Sequence, residues 1–203
     1  MYKRQAQAVT VDTLLEAANS TGILFKDEIA SKISALGENI VIRRFSRFHI
    51  GEGSGGLVAS YIHLQGKVGV LVEISCGSEA TAKHESFRDF VKDITLQIAA
   101  AHPTVVSRNE VDASLVASER EIFKAQMAGK PEAIVEKIVD GKMDKFYSTT
   151  CLLEQACIKN PDITVKDLLA TKEKELADKI VITQFVRYAL GEESGEAPVE
   201  EAL

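Results

Sequence analysis

Cysteine is scarce: the 203 residues contain three, Cys76, Cys151 and Cys157. A small, odd number in a chain with ample core excludes a disulfide framework and leaves reduced, buried thiols as the expectation. Long apolar runs are missing too. None approaches the ~18 to 20 residues that span a bilayer, and the basic start "MYKRQ" leads into polar residues instead of a signal-peptide core. A cytoplasmic protein with no membrane partner is expected. Positive charge is also in deficit, with 24 Lys and Arg against 30 Asp and Glu and a net charge of −6. Affinity gained by neutralising phosphates is thereby excluded, and nucleic acid is not an expected partner.

Catalytic and cofactor signatures fail one by one. "GEGSGG" (51–56) has a G-x-G after a strand-like segment, but a dinucleotide loop must open a helix and here another strand follows, so it reads as a linker. "QGKV" lacks the glycine a P-loop requires at Tyr61 and the hydroxyl it requires at Val68. His49, His63, His84 and His102 are spread over separate elements, and Cys151 with Cys157 lacks metal-ligand spacing. Cys76 ends an apolar strand with no base beside it, which is the setting of a structural thiol. No metal, no cofactor and no covalent chemistry are expected.

What is present is an ordinary globular composition, 45% apolar and 27% charged, arranged as an α+β fold. Helical periodicity covers 10–17 and 26–36, the second ending at Gly37. In 40–50, Ile40, Ile42, Phe48 and Ile50 alternate with Arg43, Arg47 and His49, the pattern of a half-buried strand. "LVASYIHL" and "VGVLVEISC", joined by "QGK", form an antiparallel hairpin. A long helix over 84–101 turns Phe87, Phe90, Val91, Ile94 and Ile98 inward and stops before Pro103. Gln97 sits on the rim of that stripe, where it faces either solvent or a partner. A helix over 109–128 with Leu115, Val116, Ile122 and Phe123 inward is broken by "GKP". A second helix comes after the break, built on Val135, Ile138, Val139 and Phe146, and the two form a helical hairpin.

One phrase occurs twice. "IVIRRFSRFHIGE" (40–52) returns as "IVITQFVRYALGE" (180–192), and 40–55 and 180–195 agree at nine of sixteen positions. Upstream, "TVDTLL" (10–15) returns as "TVKDLL" (164–169). Two related helix-then-strand modules are expected, a two-fold pseudo-repeat and not a short-period solenoid. Arg47 and Arg187 match across the copies and are expected on the face opposite the apolar one, as shared functional groups or as repeated structural ion pairs.

The segments "GENIVIRRF", "GKPEAIVEKIVDGKMDKFY", "CLLEQACIKNPDITVKDLL" and "FVRYALGE" together resemble bacterial elongation factor Ts, the guanine nucleotide exchange factor of elongation factor Tu. The resemblance runs from about Thr10 to Glu192. It implies a core of two pseudo-symmetric subdomains, each a three-stranded antiparallel sheet with packed helices. It also implies an inserted helical hairpin, called the dimerisation domain in that family. Residues 1–52 would be a remnant of the first subdomain, 53–118 with 162–192 the second, 119–161 the insertion, and 193–203 an acidic disordered tail. By the same resemblance Leu36, Gly37, Glu38 and Asn39 approach the GTPase near its phosphate loop, while Gln97, Ile182 and Thr183 pack on its C-terminal barrel.

The sequence also departs from the family pattern. Nothing matches the family's N-terminal ubiquitin-associated-like domain or the first two strands and Thr-Asp-Phe-Val segment of its first subdomain. The equivalent stretch of the second module, "SEATAKH" (78–84), has Glu79 and Ala80 in place of Asp and Phe, so no ring is available to wedge near the GTPase magnesium. The leading expectation is a translation elongation factor that promotes GDP release. The alternative is a module that only binds the GTPase or dimerises, through the hairpin or an orphan strand edge. The 40–50 strand is expected at an edge or paired with an unexpected partner.

Overall fold

The computed structural model describes residues 10–51, 53–127 and 131–192. The acidic tail expected at 193–203, and Gly129 and Lys130 of the expected helix break, lie outside them. The described chain divides into two compact units, 10–47 and Phe48–Glu192.

The larger unit is built on an antiparallel sheet of three strands, β1 (Gly55–His63), β2 (Val68–Cys76) and β3 (Ile180–Ala189), in the order β1-β2-β3. The α+β class is as read from the sequence. On β2, Val68, Val70, Val72, Ile74 and Cys76 point to one face and are buried, as period-two alternation in a central strand requires. Against that face lies α4 (Glu85–Ala101), whose Phe87, Phe90, Val91, Ile94 and Ile98 are each at most 1% exposed. α3 (Glu79–Lys83) precedes it, and α7 (Val165–Leu176) adds Val165 to the same core.

A register shift between Glu73 and Ile74 leaves Thr183 as the extra residue of β3, because Ile74 faces Ile182 while Glu73 faces Gln184. Such a bulge exchanges the faces beyond it. Phe185 and Ala189 therefore pack on the core, and the Arg187 guanidinium turns toward α4, donating to the Ala99 carbonyl at 3.5 Å. This corrects the placement of Arg187 opposite the apolar face.

α5 (Ala113–Ala125) and α6 (Glu132–Thr150) pack on each other. α5 begins at Ala113, where Asp112 accepts from the amides of Ser114 and Leu115; Asn109 lies in a preceding 3₁₀ turn. The expectation that Leu115 and Ile122 turn inward is overturned, since they are 44% and 47% exposed and α5 buries no residue. The pair is tied by charge: Arg120 meets Glu136 and Asp140, and Lys124 meets Glu136. On α6, Val139 and Met143 are buried. Arg108 joins α6 to the 3₁₀ turn Leu152–Glu154, bridging Asp144 and Glu154 and lying over the Tyr147 ring at 4.3 Å.

In the smaller unit, α1 (Val11–Leu15) opens with a reciprocal cap between Thr10 and Thr13. α2 (Phe25–Leu36) ends at Gly37, whose left-handed φ of 72° suits glycine. Ala17 is the one buried residue among those described in this unit. The strand expected over 40–50 is not formed: no residue from 39 to 51 among those described is in a strand. The alternation is there, but a strand exists only where a neighbouring backbone closes the ladder.

Candidate functional site

The turn after α2 is exposed. Leu36 is 66% exposed, and Gly37, Glu38 and Asn39 are exposed with it. The Gly37 amide donates to the Ile33 carbonyl at 2.8 Å, so the helix stops abruptly and the next residues project.

Gln97 is not on a rim. It is 3% exposed, and every polar atom of its side chain is used within the chain. Its Nε2 donates to Gln155 Oε1 at 3.2 Å and to the Ala156 carbonyl at 3.1 Å, and its Oε1 accepts the Ile158 amide at 2.9 Å. Gln155 in turn donates to the carbonyls of Ala101 and Thr149. The pair thus pins the 155–158 loop onto α4 and leaves Ile158 48% exposed at the surface. Beside it an open groove of about 420 Å³ is lined by Tyr61, Leu64, Leu96, Ala100, His102 and Ile158, among others.

Ile182 and Thr183 point to opposite sides: Ile182 is 5% exposed in the core, while Thr183 is exposed and its hydroxyl meets Ser75 at 3.4 Å. Arg187 is held by Glu192 at 2.5 Å and His102 at 3.0 Å, closing the C-terminal end of α4, where a cation is favoured. The structural reading of this arginine is therefore the one realised in the second copy.

Asp178, which no motif singled out, organises the start of α3. Its carboxylate accepts from the Gly77 amide at 3.1 Å, the Ser78 hydroxyl at 3.3 Å and the Thr81 hydroxyl at 2.5 Å. The Thr81 hydrogen bond is the chief reason its carboxyl is held below the usual aspartate range. A Cβ on Gly77 would collide with Asp178 Oδ1, so the approach requires glycine. Within α3 itself Glu79 is paired with Lys83 at 3.0 Å, and Ala80 offers an exposed methyl group. The sequence signal for Asp178 was only its match to Glu38 across the repeat.

All three cysteines are free and buried. Burial pushes every thiol up, Cys151 to about 11, so the nucleophilic thiolate is disfavoured. Among the described residues no His, Cys, Asp and Glu cluster is arranged to hold a metal, and no helix is long and apolar enough to cross a membrane.

The three-stranded antiparallel sheet and its packed helices define an α+β protein. Comparison with known proteins specifies the kind. The sequence model described as Elongation factor TS matches residues 2–192. Elongation factor Ts of Carboxydothermus hydrogenoformans is 50% identical over 139 residues, 68% of this chain and 64% of the relative. That of Desulfosudis oleivorans is 46% identical over 143 residues, covering 70% and 72%. That of Geobacter metallireducens is 50% identical over 141 residues, covering 68% and 65%. The chain belongs to the elongation factor Ts family. It spans 64% of the length of the Carboxydothermus relative.

Proposed function

We propose that this chain acts in translation elongation by binding elongation factor Tu and promoting release of GDP. The observation that carries the reading is the family match, which runs through both units. The factor performs no covalent chemistry. It holds the nucleotide-free GTPase more tightly than the GDP-bound form, and linkage then requires that it weaken nucleotide binding by the same factor.

In this reading the exposed turn Leu36, Gly37, Glu38 and Asn39 meets the nucleotide-binding domain. Gln97 contributes by presenting Ile158 and the adjoining groove to the barrel, and Thr183 contacts it from β3 while Ile182 anchors that strand. The two units are pseudo-symmetric subdomains, and α5–α6 is the inserted hairpin, whose exposed Leu115, Ile122 and Ile134 suit contact with a second copy. Replacing Gln97 by Ala would free the 155–158 loop and weaken binding to the GTPase more than replacing exposed Asn39.

A second reading, binding without exchange, is favoured by one feature: the apex of α3 carries Ala80 and a salt-bridged Glu79 and has no ring to displace magnesium. Stopped-flow release of a fluorescent GDP from elongation factor Tu decides between them. Exchange predicts release accelerating with chain concentration to a plateau well above the spontaneous rate. Measurable binding with release at the spontaneous rate would overturn exchange and leave the binding module.

A further inference from the structure

Where α4 ends, cross-strand pairing puts Tyr61, Val70 and Arg187 in one row and His63, Val68 and Ala189 in the next. Arg187 reaches the Ala99 carbonyl from the first row, so these strand ends and the last turns of α4 enclose common space. That space is the groove beside Ile158, about 420 Å³, within the ~300–1,000 Å³ typical of small-molecule sites. Its surface is mainly apolar, with Val68, Leu96, Ala99 and Ala100 in the lining. Leu64 and Ile158 complete it and are 58% and 48% exposed.

The polar side chains of the groove have hydrogens to spare. The Tyr61 hydroxyl and His63 Nδ1 are 2.8 Å apart. If the hydroxyl donates, the remaining hydrogen is on His63 Nε2; if Nδ1 donates, it is on the Tyr61 oxygen, so the pair keeps one donor either way. Arg187 Nη2 lies 3.0 Å from His102 Nε2. A guanidinium cannot accept, so Nε2 does, and the His102 hydrogen sits on Nδ1, where no described residue takes it. Among the described residues, no Asp, Glu, Asn, Gln, Ser or Thr lines the groove to use these donors. The negative end of α4 would oppose an anion here, but its Ala99 and Ala101 carbonyls are taken by Arg187 and Gln155.

We propose that this groove binds a small organic carboxylate, its apolar body against Val68, Leu96 and Ala100 and its carboxylate facing the spare hydrogens of the Tyr61–His63 pair and of His102. Donors directed at an ionised acceptor make the stronger kind of hydrogen bond, and a few such groups in an apolar lining fix the orientation of a ligand. The site stands on the larger unit alone. Its consequence rests on the proposed function, which sets the same groove against the GTPase, so that an occupied groove competes with that contact.

The test titrates the full chain with naphthoate and, separately, with naphthylmethylamine, which has the same apolar body and the opposite charge, read by backbone and histidine side-chain NMR. Saturable one-to-one binding of naphthoate is expected, about tenfold tighter than the amine, with shifts at Leu64, Leu96, Ala100 and Ile158 and at the ring nitrogens of His63 and His102. Ala100 is exposed on α4, so Ala100→Glu and Ala100→Lys both suit the helix. The glutamate should weaken naphthoate about fivefold and the lysine should not. Absence of saturation, equal affinity for the two probes, the same effect from both substitutions, or shifts outside the groove would each overturn the proposal. Because this binding is measured without the GTPase, its failure leaves the proposed function standing. GDP release from elongation factor Tu with naphthoate added reads the consequence: slower release supports competition, and release unchanged at saturating naphthoate overturns it.

Discussion

Residues 40–50 and 180–190 are identical at five of eleven positions, yet 180–189 is a strand and 40–50 is not. Each module has a threonine cap, a left-handed residue ending a helix and an Ile-Val-Ile start, though the cap and the left-handed end lie on α1 and α2 in the first and both on α7 in the second. What differs is the neighbour. β3 lies against β2 and turns Ile180, Ile182 and Phe185 to the core, so its amides and apolar side chains are satisfied together. Local propensity prepares a segment for a strand; tertiary pairing makes it one.

The largest effect should come from removing the apolar contact that one copy has and the other lacks. Ile180→Ala empties a site that is 2% exposed and should cost about 3 kcal/mol, as buried isoleucine truncations do. Ile40→Ala should cost under ~1 kcal/mol, as for half-buried positions. Urea denaturation of both variants gives the difference, and equal losses would break the comparison.

The next test uses charge. Because the Asp178 carboxyl is held low by Thr81, it favours the folded state above the unfolded aspartate pKa of ~3.9, and this contribution is lost as pH falls through the lower folded value. Asp178→Asn should therefore lower the melting temperature at pH 7, with the gap to the unmodified chain closing below about pH 4. Glu38→Gln at the matching position should leave the pH 7 midpoint in place. A gap that persists unchanged in acid would mean that Asp178 acts by packing alone.

The smallest effect is at the helix caps. Ala177 holds a φ of 49° where its counterpart is Gly37. Relieving the Cβ strain by Ala177→Gly should stabilise by about 0.5–1 kcal/mol, and Gly37→Ala should destabilise by a similar amount, both read from thermal midpoints.

Much of the fold was legible because it rests on local periodicity. The α4 stripe is wholly buried as its 3.6-residue spacing required, and the β1–β2 hairpin lies where its apolar runs and glycine turn placed it. The bulge at Thr183 was not legible, since a one-residue offset depends on the partner register; it is what carried Arg187 to the core side. Gln97 was misplaced for a related reason. Its burial comes from a loop nearly 60 residues away, Ala156 to Ile158, which a helical wheel does not contain. Leu115 and Ile122 follow an inward pattern, yet a lone pair of helices has too few neighbours to cover them.

Residue-resolved hydrogen exchange on the chain alone tests the central comparison most directly, because it reads backbone pairing in both copies at once. The paired amides of β3 should exchange slowly, tracking the stability of the larger unit, while those of 40–47 should exchange within about tenfold of unstructured rates. Protection of 40–47 equal to that of β3 would contradict the account.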